Sequence, residues 1–334
     1  MIAEPERLRR LPKAEVHVHL EGCFEVEHLE SLAREAGQQL PRPPEALFDF
    51  DDLPSFLSFL DWACSLVRTP EQAARAAYRF SAREKEAGAW YADVIVNPTH
   101  WPAWHGRLSE FIDALDAGFS EAEQDGLPAV GLCVSLLRQQ SAHEAAELVD
   151  LLIERRHPRV VALSVDGNEA SAGRTGPRFA GAFAKAGASG LHRTVHAGES
   201  SGPEGVRDAI DLLGAERIDH GVRASEDPAL MRELADRRTP LGICPNSNVV
   251  LGLYPDRAAH PVEKLRTAGV RVSLNTDDPA LLDCDLSGEY AASANAYGWS
   301  EDVLRAVART SIEAAFCDED RRRDMRVALA AWSG

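Results

Sequence analysis

The chain has 334 residues, 45% apolar and 27% charged, so a sizeable core can form and disorder is not indicated. Its 36 Lys and Arg stand against 53 Asp and Glu, a formal charge of −17. That balance excludes duplex nucleic acid and acidic membranes as natural partners, because phosphate contacts need clustered cations.

In chain order, residues 1–7 lack the apolar stretch of a secretory signal. A buried strand is expected over 14–20. The long connection after it holds a Pro-rich piece, 40–44, and an aromatic-rich stretch, 48–66. The latter reads as an extra helix packed on the fold or, in part, as an apolar lid over a pocket. A helix over 71–87 leads to a strand over 91–97. Beyond it, Trp101, Trp104 and His105 form either an outer pocket wall or an aromatic turn. Then come helix 108–124, strand 129–136, helix 142–156, strand 160–166, strand 193–197 and helix 204–213. Strand 217–219, helix 228–237, strand 240–244, helix 261–268 and strand 270–275 follow. Residues 300–332 read as terminal helices.

Eight short apolar runs alternating with helical stretches predict an α/β fold with a parallel sheet. Eight such units favour a closed (β/α)8 TIM-like barrel. It carries an extra helical segment between strands 1 and 2 and C-terminal helices. No Gly-, Pro- or Ser-rich linker cuts the chain, so residues 1–334 are expected to form a single barrel domain. No run reaches the roughly 18 apolar residues of a membrane helix. The six cysteines form no CxxC pair, which suggests reduced thiols and a cytoplasmic setting.

Four strand ends carry unusual chemistry. His17 and His19 lie two apart on a strand and so share a face. His196-Ala197-Gly198-Glu199 ends the fifth strand, and Asp219-His220-Gly221 the sixth. Asp277-Asp278-Pro279 ends the eighth. Taken singly, each has an ordinary reading as core histidines or helix capping. Together they supply the imidazoles and carboxylates that a catalytic Zn²⁺ with an open position requires, and barrel strand ends converge. Asp166-Gly167-Asn168-Glu169 and Cys244-Pro245-Asn246-Ser247-Asn248 follow the fourth and seventh strands. They fit either a pocket wall or plain turn chemistry.

In this ordered set of motifs, beginning Lys13-Ala14-Glu15-Val16-His17-Val18-His19-Leu20-Glu21-Gly22, the chain resembles the adenosine deaminase family of metal-dependent amidohydrolases. The resemblance runs over nearly the whole length. It implies one Zn²⁺ per chain, bound by His17, His19, His196 and Asp277, and hydrolytic removal of a purine 6-amino group. It also implies that His220 and Asp278 orient and help deprotonate the attacking water. Glu199, as a protonated acid, donates to purine N1. Gly167 meets N3 through its backbone, with His19, Glu21 and Asp278 also near the substrate. The other zinc deaminase signature, H-x-E with P-C-x-x-C, is absent. So is a Lys on the fourth strand for a two-metal site.

The substrate cues conflict. Glu21 and Glu25 stand where nucleoside enzymes often carry Asp and Arg, which looks like relatives that take free adenine. Gly167 is the residue typical of nucleoside enzymes. The balance leans slightly to adenosine or a related nucleoside, with adenine as the alternative and other substituted purines open. A non-catalytic purine- or metal-binding member of the fold is the reading from a different class.

Overall fold

The strands are short because each needs to cross only one wall of a ring. The computed structural model describes residues 3–50 and 53–333. β1 (Ala14–His19), β2 (Tyr91–Val96), β3 (Ala129–Leu137) and β4 (Val160–Asp166) are followed by β5 (His192–Ala197), β6 (Arg217–His220), β7 (Leu241–Ile243) and β8 (Val272–Leu274). They pair in parallel in the order β1 to β8. Nearly every strand residue is buried, as strands covered on both faces must be. The fold is the expected (β/α)8 barrel.

Closure between β8 and β1 comes mostly from the segment just past β8. The Asp277 N–H donates to the His17 carbonyl at 3.2 Å, and the His19 N–H to the Asp277 carbonyl at 2.8 Å. Below them, the Val16 N–H donates to Asn275 Oδ1, and the Thr276 N–H to Glu15 Oε1, both at 2.8 Å. One seam is weak. β4 and β5 pair only at Ala162–His192 and Leu163–Arg193.

Most expected helices occur with shifts of one or two residues. Pro70–Glu86 and Ala142–Arg155 each begin in a reciprocal capping box, Thr69 with Gln72 and Ser141 with Glu144. Helices Val26–Glu35, Gly176–Ala188 and Leu286–Tyr297 are additions to the sequence reading. The last two are rich in Gly, Ala, Ser and Asn. Leu286–Tyr297 has almost no apolar contrast between its faces, which periodicity does not detect, whereas Gly176–Ala188 has a clear apolar face that the sequence reading passed over. The 48–66 stretch contains helix Leu53–Ser65. Its Phe56, Phe59, Leu60, Ala63 and Cys64 are buried.

The N-terminal end of the barrel is plugged. Arg217 and Asp93, both fully buried, pair at 2.7 Å. The Arg217 guanidinium lies 4.2 Å from the Phe316 ring centroid. That ring comes from the turn between helices Glu301–Ala314 and Glu319–Ala331. With one end filled, chemistry is confined to the C-terminal mouth.

Candidate active site

Alternation along β1 aims His17 and His19 into the barrel, and β5 supplies His196 opposite them. The three Nε2 atoms converge. His196 Nε2 is 3.1 Å from that of His17 and 3.0 Å from that of His19. Asp277 Oδ1 lies 3.2 and 3.3 Å from the same two atoms of His17 and His19. Tetrahedral ligands about 2.05 Å from a zinc ion sit about 3.3 Å apart, so the cage has the right size.

Each ring is turned by its other nitrogen. His17 Nδ1 donates to the Gly242 carbonyl at 2.8 Å. His19 Nδ1 faces Asp166 at 3.9 Å and His196 Nδ1 faces Asp219 at 3.6 Å. Such partners orient metal-binding imidazoles and leave Nε2 free. Lone pairs crowded this closely repel unless a cation lies among them. Charge tells the same story. Burial opposes protonation of His17, yet the Asp219 and Asp277 carboxylates outweigh it and hold the ring up at about 9. The cage carries excess negative charge, and a dication fits it.

Asp277 and His220 both adopt left-handed backbone, φ 68° and 67°. Non-glycine residues rarely hold that conformation without a reason at a site. The turn at Asp277 directs one carboxylate into the cage and leaves its neighbour Asp278 free to face the pocket. Ser247 donates to Asp277 Oδ2 at 2.6 Å and fixes its second oxygen. Gly22 makes room for Asp278, since a Cβ there would fall 2.1 Å from Asp278 Oδ1. Burial and the charge of Asp277 push Asp278 well above the usual carboxylate range, and its Oδ1 has no hydrogen-bond partner.

Glu199 is also buried among carboxylates. Burial first, then Asp277 and Glu169, raise it to about 8. Asn248 organises its surroundings. The Val262 N–H donates to His260 Nδ1 at 3.3 Å, so His260 Nε2 carries the hydrogen and donates to Asn248 Oδ1 at 3.1 Å. The Asn248 amide then donates to His220 Nδ1 at 3.4 Å and to Glu199 Oε1 at 3.5 Å. His220 Nε2, left with a hydrogen, points at Glu199 Oε1, also 3.5 Å away. Burial and the neighbouring imidazole His17 keep His220 well below the ordinary histidine range, hence neutral.

The pocket over these groups is lined by Glu21, Gly167 and His100 on one side and by Phe56, Leu57 and Leu60 of helix Leu53–Ser65 on another. No Lys or Arg lines it among the described residues. Its cavity is about 90 Å³. A larger cleft of about 620 Å³ lies elsewhere, between Arg9, Arg83, Arg257, Glu25, Asp283 and Glu289. No group of potential metal ligands converges there among the described residues.

The structure therefore gathers His17, His19, Glu21, Gly167, His196, Glu199, His220, Asp277 and Asp278 at one mouth. It separates the aromatic turn. Trp101 lies behind the pocket, where its indole donates to Glu21 Oε1 at 2.7 Å. Trp104 donates to the Val67 carbonyl, and His105 is exposed. The pocket residue of that segment is His100, which sequence reasoning missed, as it did Asn97, Arg138 and His260. His260-Pro261 was the one available hint, an imidazole at a helix start.

The family model described as adenosine deaminase matches residues 12–332. The chain belongs to the adenosine deaminase family. An adenine deaminase of Sinorhizobium medicae (strain WSM419) is 35% identical over 320 residues, covering 96% of this chain and 98% of that protein. An aminodeoxyfutalosine deaminase of Streptomyces coelicolor is 34% identical over 314 residues, covering 92% and 81%. An amidohydrolase of Burkholderia ambifaria, solved with bound zinc, superposes with a TM-score of 0.90 at 27% identity, covering 99% and 92%. The protein is thus a hydrolase of C–N bonds, a deaminase of this family. The reading as a non-catalytic binder falls away.

Proposed function

We propose that the protein hydrolyses the 6-amino group of a purine, with adenine as its preferred substrate and zinc as its metal. The carrying observation is the placing of Glu199 and Asp278, two buried carboxyls of raised pKa, beside a three-imidazole, one-carboxylate cage.

His17, His19, His196 and Asp277 would hold the ion. Bound there, zinc supplies the Lewis acidity that makes water a competent nucleophile near neutral pH. Asp278 adjoins the cage, and its pKa is raised by burial and by the Asp277 charge, which a bound dication would offset. With the ion in place it is therefore the carboxylate that takes the proton as water adds to C6. Glu199 supplies a proton to N1, so the ring need not carry an anion, a contribution on the order of 10²–10⁴-fold. Asn248 and His220 both direct N–H groups at Glu199 Oε1, which leaves the acidic proton on Oε2. The Gly167 N–H meets N3. Proton return to nitrogen breaks the C6–N bond, and ammonia and the 6-oxopurine leave.

The sequence cues lean to adenosine, and the pocket supports the opposite order. Glu21 Oε1 is occupied by the Asn97 N–H and the Trp101 indole, while Oε2 is buried without a partner. An acceptor there suits the N–H of a free base. The relative named adenine deaminase agrees. Adenosine or another 9-substituted purine is the second reading. It is favoured by Gly167 and by the relative named aminodeoxyfutalosine deaminase.

The deciding experiment measures ammonia release from adenine, adenosine, 5′-modified nucleosides and AMP. Adenine should lead, and AMP should fail for want of a cation in the pocket. Glu199→Gln should keep metal and fold but lose at least 10²-fold in kcat. Near-normal turnover by that metal-loaded variant refutes the mechanism.

A further inference from the structure

The strand ends that carry the purine-facing glycine and the proton donor do not pair with each other. β4 and β5 share a ladder only at Ala162–His192 and Leu163–Arg193. Above those residues the two strands run on without a ladder. Backbone groups in such a split need other partners.

Two charged side chains provide them. Glu169, two residues past Gly167, reaches across to the β5 side. Its Oε1 accepts from the Gly198 N–H at 2.8 Å. Its Oε2 accepts from the N–H groups of Glu199 at 3.0 Å and Ser201 at 3.2 Å. Gly205 leaves space for this, since a Cβ there would stand 2.5 Å from Glu169 Oε1. Arg138, just beyond β3, spans the same split. It donates to the Gly167 carbonyl at 3.0 Å, to Thr175 Oγ1 at 3.1 Å, and to the carbonyl of His196. Both side chains are buried, Glu169 to 4% exposure and Arg138 to 3%. Neither lines the pocket.

The bonding pattern is specific. One carboxylate holds the loop that carries Glu199 by three amides, and charge-assisted hydrogen bonds of this kind are the strong ones. One guanidinium holds the carbonyls of a metal-cage histidine and of the purine-facing glycine together. An apolar filler could close the gap but could not fix either backbone.

We propose that Glu169 and Arg138 are positioning residues: they replace the missing β4–β5 ladder at the barrel mouth and set the distance between Gly167 and Glu199. The proposal rests on the reading of Glu199 as proton donor. A donor misplaced by an ångström loses its effect only in the transition state, so kcat should suffer and KM should not. The two charges also act on Glu199 in opposite senses, Glu169 raising and Arg138 lowering it, so their removal is not equivalent.

The test compares wild type with Glu169→Ala, Glu169→Gln and Arg138→Lys as metal-loaded full-length proteins. Amide hydrogen exchange is followed over residues 198–201, with kcat and KM on whichever purine the wild type deaminates best. Glu169→Ala should lose protection at Gly198, Glu199 and Ser201. Its kcat should fall on the order of 10²-fold, with KM within about threefold and metal content unchanged. Glu169→Gln, which keeps one acceptor oxygen, should lie between. Arg138→Lys should also raise KM, because Gly167 is released. Should Glu169→Ala fail to fold, the Gln variant carries the same comparison. Wild-type protection over 198–201, or a kcat within threefold of wild type, overturns the proposal. A wild type that releases ammonia from no purine refutes the deaminase reading instead, and the exchange comparison still decides whether Glu169 holds the loop.

Discussion

Glu199 can act as an acid because of where its charge would sit. Burial, Asp277 and Glu169 all disfavour the anion, and the value of about 8 keeps the proton on at neutral pH. The sign follows directly. The acid form persists below that value and is lost as pH rises through it. A bound dication offsets the Asp277 charge, so the falling limb of kcat/KM should lie at or below about pH 8. A pH–rate profile checks this, and a rate still climbing above that point contradicts the role given to Glu199. The residues of this centre were legible because chemistry of this type needs rare side chains in short motifs. His17, His19, His196, His220 and the Asp277-Asp278 pair all announce themselves. Gly22 and Gly167 were legible as part of a resemblance. Asn97, His100 and Arg138 were not. An asparagine, a histidine and an arginine after a strand are ordinary, and only their neighbours in space make them notable.

The elements divide in the same way. Strands bounded by turn residues and helices with an apolar stripe were readable from period. The helix Leu286–Tyr297 was not, because packing rather than contrast buries it, and the Gly/Ala-rich helix Gly176–Ala188 was missed although it has an apolar face. Helix Leu53–Ser65 shows that both readings of its aromatic stretch can hold together. Phe48 and Phe59 pack edge to face at 5.7 Å, while Phe56, Leu57 and Leu60 line the pocket. One ion pair ties the helix to the barrel, Asp61 to His100 Nδ1 at 2.6 Å. Burial opposes the imidazolium, but Asp61, Asp166 and Glu21 together raise His100 above its ordinary value. The Asp61 side chain is 61% exposed, so the pair is worth at most about 1 kcal/mol. Asp61→Asn should therefore raise KM by up to about fivefold and leave kcat nearly unchanged. Steady-state kinetics on the preferred purine decide it. A large fall in kcat would mean that His100 takes part in the chemistry.

At the scale of the molecule, the cage and the barrel closure are one structure. Asp277 offers its carboxylate to the ion site and its backbone to β1. Removing the metal should leave converging lone pairs and unbalanced carboxylates at the very seam that joins first strand to last. Chelation should lower the melting temperature by several degrees, since metal a hundredfold above its Kd stabilises by about 2.7 kcal/mol. Zinc should restore it. An unchanged melt after verified metal removal would separate the cage from the closure.

Sequence alone determined the kinds of side chain, their order and the alternation that puts them at strand ends. Those are local properties, written in spacing and in residue chemistry. It also determined the family, because several rare motifs do not fall in one order over most of a chain by chance. Only the tertiary structure decided which carboxylates face one another, and with that which of them keep their protons. It decided that Trp101 stands behind Glu21, and that β4 and β5 part where Gly167 and Glu199 must be held. These depend on distances between residues far apart in the chain. Electric fields and hydrogen bonds act through space, and the space is made by folding.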